Sequence, residues 1–176
     1  MYRCILAALL GLLAATVHAE DAGQVEQRLR DYYFEAARQG DQAVLGQFIQ
    51  AGYDLDTQDT KGYTGLILAA YHGQVQAVEQ LLAAGANPCA QDLRGNTALM
   101  GAIFKGELGI ARRLLDAPCN PDQRNANGQT AAMYAALFKR DELLQALTAR
   151  GADRQARDAL GNSVDSLRQG ALNGVR

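Results

Sequence analysis

From residue 64 onward, short apolar runs of small residues alternate with polar turns that carry glycine. The run "TGLILAAYHG" (64–73) is apolar almost throughout and is closed by glycine. Weaker copies follow as "TALMGAIFKG" (97–106) and "TAAMYAALFKR" (130–140). Behind the first run, "VQAVEQLLAAG" sets Val75, Val78, Leu81 and Leu82 on one helical stripe and stops at Gly85. The pattern predicts pairs of short helices, the first of each pair apolar on nearly all sides. Between pairs stand "DTKGYT", "DLRGNT" and "NANGQT", turns with glycine where the backbone needs a positive φ. The threonine after each turn is placed to cap the next helix through its hydroxyl.

The copies keep a fixed register. Gly62, Gly95, Gly128 and Gly161 are each 33 residues apart, as are Thr64, Thr97, Thr130 and Ser163. The unit ends agree as well: "GYD" at 52–54, "GAN" at 85–87, "PCN" at 118–120 and "GAD" at 151–153. A period of this length marks stacked supersecondary units, because one helix pair cannot bury its own apolar face. Stacking builds a continuous core, and the end units are expected to turn polar toward water.

At these positions the chain resembles the ankyrin repeat family, whose pattern is roughly D-x-x-G-x-T-P-L-H-x-A-A-x-x-G followed by a second helix ending L-L-x-x-G-A. Asp59, Gly62, Thr64, Leu66, Ala69, Ala70, Gly73, Leu81, Leu82, Gly85 and Ala86 match it. The resemblance implies an all-α solenoid of stacked helix-turn-helix units joined by β-turn or hairpin loops, with four to five repeats including atypical caps. The expected division is an N-terminal repeat at 24–58, repeats at 59–91, 92–124 and 125–157, and a partial C-terminal cap at 158–176. Some positions depart from the family. Gly65, Ala98 and Ala131 replace the proline, and Ile67, Met100 and Met133 replace the histidine, at the cost of a hydrogen bond between turns. Lys139 and Arg140 stand where the third helix pair should have its glycine and neighbour, so that turn is expected to be the least regular.

The first 19 residues differ in kind. "MYRCILAALLGLLAATVHA" has Arg3, an apolar stretch from about Ile5 to Ala15, and small residues Val17 and Ala19 at the end. This is the pattern of a secretory signal peptide, too short to span a bilayer comfortably. Cleavage would leave Glu20 at the N-terminus of a domain spanning 20–176, with Cys89 and Cys119 as its cysteines. It would also place the protein in the periplasm or outside the cell, free of the membrane. A formal charge of −2 argues against nucleic acid as a partner.

Little in the chain suggests catalysis. Past the leader, His72 is the sole histidine, and no metal-ligand, nucleophile-elbow or phosphate-loop motif occurs. No cofactor and no enzymatic activity are expected. The acids Asp54, Asp56 and Asp59 lack calcium-loop spacing and read as turn formers. An oxidising compartment invites a Cys89–Cys119 disulfide, but its Cα atoms must approach within about 7 Å. Adjacent units do not clearly bring the two that near, so two half-buried thiols are the expectation.

Family position implies a binding surface made of turn tips and first-helix ends. It carries over to Thr60, Lys61 and Tyr63; Leu93, Arg94 and Asn96; Ala126, Asn127 and Gln129; and to Tyr71 and His72, Phe104 and Lys105, Leu137 and Phe138. Tyr71, Phe104 and Leu137 share one repeat position and form an apolar ladder. Such a ladder is either repeat core or a set of binding anchors, and its repeat position favours binding. The implied function is a non-catalytic, monomeric protein-interaction module. Its resemblance to small exported bacterial ankyrin proteins implies support of a stress-defence enzyme or immunity against a toxin. A thiol-based redox protein and a purely structural scaffold are the alternatives.

Overall fold

Thr64, Thr97 and Thr130 each accept a hydrogen bond at the hydroxyl from the backbone N–H three residues on, which starts a helix at Gly65, Ala98 and Ala131. Ser163 does the same and completes a reciprocal capping box with Ser166. The computed structural model describes residues 22–171 and residue 173; the expected signal peptide and its cleavage point lie outside them. Among the described residues the chain is helical and runs through α1 (22–39), α2 (Gln42–Gln50), α3 (Gly65–Tyr71), α4 (Val75–Ala83), α5 (Ala98–Lys105), α6 (Leu108–Leu115), α7 (Ala131–Leu137), α8 (Asp141–Ala149) and α9 (Val164–Gln169). Among the described residues, the sole bridge of strand type joins Gln91 to Thr97. No described helix is long and apolar enough to cross a membrane.

The helices stack in two rows. First helices α3, α5, α7 and α9 pack on one another, and second helices α2, α4, α6 and α8 form a row behind them. The core between the rows is small-residue and aliphatic: Leu66, Ala69, Ala70, Val78, Leu81, Ala102, Ile103, Ile110, Ala135 and Leu147 are all buried. Of the stripe predicted in α4, Val78 and Leu81 are buried and Leu82 packs against the core, but Val75 is exposed. It opens the helix, where the turn from Gly73 holds it at the rim, and Ala77 is buried instead.

The turns stack too. In each, the leading Asp or Asn accepts two backbone N–H groups at one side-chain oxygen, Asp59 from Lys61 and Tyr63, Asp92 from Arg94 and Asn96, and Asn125 from Asn127 and Gln129. Successive tips are joined by backbone bonds from Leu93 to Lys61, Ala126 to Arg94 and Ala159 to Asn127. The tip glycine therefore answers two demands. Gly95 has φ 76°, and a Cβ there would stand 2.8 Å from the next turn's backbone.

One departure from the family pattern gains a physical reason; at the other, Lys139, the turn keeps the helix-closing hydrogen bonds of its counterparts, so in that bonding it is not the less regular turn expected. Gly65 lies against the hydroxyl of buried Tyr33, well inside the reach of any Cβ at that position. Tyr33 occupies in the first unit the place that Leu66 holds in the second, and its hydroxyl donates to the Leu55 carbonyl at 3.0 Å. The larger side chain and the missing one fit each other. Lys139 has φ 53° where Gly73 and Gly106 have 75° and 80°, a left-handed conformation that a side chain adopts reluctantly.

The expectation of free thiols is overturned. Cys89 and Cys119 form a disulfide with Cα atoms 5.5 Å apart. The reason lies in how the loops after the second helices stagger. At the junction before it, the Asp56 carboxylate accepts the Asn87 N–H, and at the junction after it, the Asp122 carboxylate accepts the Asp153 N–H, both at 2.8 Å. Cys89 occupies the place of those two aspartates and cannot make that bond. Its partner loop is also irregular, since Pro118 stands where Gly85 and Gly151 adopt φ near 90°. Proline cannot adopt that φ. Ala86 and Ala152 close α4 and α8 with bonds to Leu81 and Leu147, whereas Cys119 bonds to Ala117 only two residues back. The disulfide thus ties the one loop that lacks both the helix-closing bond and the carboxylate clasp. A cavity of about 70 Å³ lies under it, lined by Leu99, Met100, Leu114 and Cys119 among others.

The ends of the stack correct one further expectation. The outer helix α1 leaves Val25, Leu29 and Tyr32 about half exposed, so the N-terminal unit is not a purely polar cap.

Candidate functional site

The first helices end in open space. Tyr71, Phe104 and Leu137 are 38%, 46% and 38% exposed, although each follows a fully buried alanine or isoleucine. One turn earlier, the same helices bury Leu66, Ile67 and Met100. The change comes from helix length. Only seven or eight residues long, each helix has its front half between neighbours and its final one or two residues beyond them.

The exposed side chains form a continuous row. The Tyr71 and Phe104 rings lie nearly parallel, 12° apart with centroids 6.2 Å from each other. Phe104 meets Phe138 edge-on at 5.3 Å, and Phe138 lies 6.1 Å from Tyr134. Lys105 places its ammonium 5.1 Å from the Tyr71 ring centre, and His72 flanks the same ring at 5.6 Å. Phe138, half-buried, does not stand out as Leu137 does.

Between this row and the turn tips runs a groove. One section is lined by Arg38, Lys61, Tyr63, Ile67, Tyr71 and His72. The next shares Tyr63, Ile67 and Tyr71, and adds Arg94, Asn96, Met100, Gly101, Phe104 and Tyr134 around a notch of about 210 Å³. The groove therefore brings together Lys61, Tyr63, Tyr71, His72, Arg94, Asn96 and Phe104 from the sequence-derived set. Lys105 reaches it over Tyr71. Asn127 and Gln129 sit on the next tip, and Leu137 continues the row, but these three do not line the groove.

Sequence reasoning missed the notch. Leu68, Gly101 and Tyr134 share one repeat position, so the middle unit presents no side chain where its neighbours present large ones. A Cβ at Gly101 would meet the Tyr71 ring at 3.6 Å. Tyr134 closes the far wall, its hydroxyl 3.2 Å from the Asn96 side-chain oxygen and 3.3 Å from the Asn125 amide nitrogen. Burial pushes the Tyr134 hydroxyl above its ordinary pKa, so it stays protonated and donates to Asn96. The signal was present as an odd glycine inside an apolar helix, and the register makes it visible.

The groove contains no arrangement for covalent chemistry. His72 is exposed and meets an aromatic ring rather than an orienting carboxylate. Asp59 accepts turn N–H groups at one oxygen and faces Arg38 with the other, Asp92 bonds its own turn with both, and Asp56 clasps the next loop. Cys89 and Cys119 are joined to each other, away from the groove.

A family model described as ankyrin repeats (3 copies) matches residues 33–125, just over half of the chain. No curated protein matches.

Proposed function

The chain belongs to the ankyrin repeat family, whose repeats mediate binding to other proteins and are generally non-catalytic, and from that premise we propose that this protein captures a partner protein in the groove beside Tyr71 and Phe104. The exposed aromatic row carries this reading. Large apolar side chains are left uncovered along one line of the stack, although the fold has already filled its core with alanine, leucine and methionine. Aromatic anchors set against a concavity are the usual energetic centre of a protein interface. The protein acts as a non-catalytic module in the periplasm or outside a bacterial cell. The leader-like pattern of residues 1–19 and the Cys89–Cys119 disulfide both support an oxidising location.

The partner classes that the family resemblance implies are a stress-defence enzyme and a secreted toxin. Recovery of either on the wild-type protein from extract of the native cells, and its loss on a Phe104→Ala bait, tests the reading. Equal recovery on both baits would move the interface elsewhere. Mass spectrometry of the released protein tests the location: Glu20 is expected at the N-terminus, and a retained Met1 would overturn export with cleavage.

A further inference from the structure

Several ion pairs of the molecule lie on the side away from the groove. Along the second helices and the adjoining loops, Glu79 pairs with Arg113, Arg112 with Glu142 and Arg150 with Asp116. Those cations are neutralised within the fold. The groove is different. None of the ion pairs among the described residues uses Lys61, Arg94 or Lys105. All three are exposed, and they come from three successive structural stations: one turn tip, the next tip and the end of α5. The groove's acids do not offset them in the same way. Asp59 faces Arg38 at 3.5 Å and holds its own turn, and Asp92 is buried with both oxygens bonded to its turn. A chain of net charge −2 therefore presents a locally cationic groove with an apolar floor.

We propose that the groove recognises an acidic, extended segment of the partner protein, with one apolar side chain of that segment seated in the notch over Gly101. The proposal rests on the groove reading above and adds the partner's chemistry. Carboxylates of the segment meet Lys61, Arg94 and Lys105, which no ion pair among the described residues engages. The side chain between them packs against Met100, Tyr71 and Phe104, in the space that Leu68 or Tyr134 would fill in a neighbouring unit. Charge supplies orientation and encounter rate, and the notch supplies register.

The test uses the purified protein and four labelled probes: a twelve-residue Glu/Gly peptide with one central Phe, the same peptide with Lys for Glu, the Glu/Gly peptide without Phe, and oligo-dT of equal charge. The expected result is binding of the first probe, with amide shifts at Gly101 and Arg94. Its affinity should fall about tenfold as salt rises from roughly 50 to 500 mM. Arg94→Gln with Lys105→Gln should weaken it by a similar factor, with unchanged circular dichroism and melting. Preference for the Lys peptide, or equal binding of both Phe peptides, would overturn the acidic partner while leaving the groove in place. Equal binding of the Phe-free peptide or of oligo-dT would show a general polyanion surface and overturn it as well. Shifts confined to residues outside the groove, or no binding by any probe, would reject both this proposal and the groove.

Discussion

The two faces of the stack are built from the same repeat and solve opposite problems. On the second-helix side, successive units reach across to each other with ion pairs, such as Glu79 to Arg113 at 2.6 Å and Asp116 to Arg150. On the first-helix side, successive units expose Tyr71, Phe104 and Leu137, and none of the ion pairs among the described residues uses Lys61, Arg94 or Lys105. One face is satisfied by its own neighbours. The other leaves those side chains open to a partner in the reading proposed above. A repeat fold can separate these duties because each position recurs at a fixed place relative to the next unit, so one substitution pattern writes a whole face.

If the faces are separable, the core beneath them must fail before either does. Leu66 is 1% exposed and lies between α3 and its neighbours. Leu66→Ala should cost about 2–5 kcal/mol, read as a lowered midpoint in denaturant or heat. Phe104→Ala should melt almost as wild type does. Equal losses would show that the aromatic row is core after all, and the contrast between faces would collapse.

The disulfide sharpens the comparison from the side of the loops. Breaking Cys89–Cys119, by reductant or by Cys119→Ser, should cost about 2–4 kcal/mol if the bond acts chiefly by constraining the unfolded chain. Hydrogen exchange should rise first at residues 114–123, where Pro118 prevents the usual helix closure. Exchange that rises evenly along the chain would mean that the loop is held by its packing, not by the bond.

Much of this fold was legible in the sequence, since the glycines and threonines at period 33 mark the turns and caps, and the structure places a helix after each threonine. What was not legible depended on contacts between units. The stagger that carries residue 56 to residue 87 also carries residue 89 toward 119, and no single unit shows it. The same holds for Gly65, whose reason is Tyr33 one unit away, and for Gly101, whose emptiness matters because Tyr71 and Tyr134 stand around it. The candidate surface was found by repeat position and is exposed as a row; its notch required the neighbours.

The anchors themselves come next in size. Tyr71→Ala or Phe104→Ala should weaken partner capture by about 2 kcal/mol or more, as truncation of an interface hot spot does. Gly101→Leu tests the notch without removing any anchor. It should block the partner while leaving α5 intact, because a Cβ there meets the Tyr71 ring at ordinary contact distance and the rest of the side chain has the notch to enter. Full-strength binding by Gly101→Leu, measured by calorimetry on the captured partner, would show that nothing enters the notch.

A smaller effect is expected where the repeat breaks its own rule. Lys139→Gly relieves a left-handed side-chain residue at a turn where the other units use glycine. The gain should be about 1 kcal/mol or less, because glycine also frees the unfolded chain. A loss would mean that the Lys139 side chain holds the turn through its surroundings.

The smallest expected effect divides the faces most cleanly. Glu79 and Arg113 are both well exposed, at 40% and 54% of their side chains. A surface pair of that kind contributes about 0–1 kcal/mol, and salt screens it. Glu79→Gln should therefore lower stability slightly, by an amount that fades in roughly 500 mM salt, and should not touch partner binding. Arg94→Gln should do the reverse, with stability unchanged and binding weakened in a salt-dependent way. Each is a removal of one charge from the surface of the same stack. If both variants moved stability and neither moved binding, the unpaired cations would be part of the fold's own electrostatics. The distinction between a self-satisfied face and a partner-facing one would then rest on the aromatic row alone.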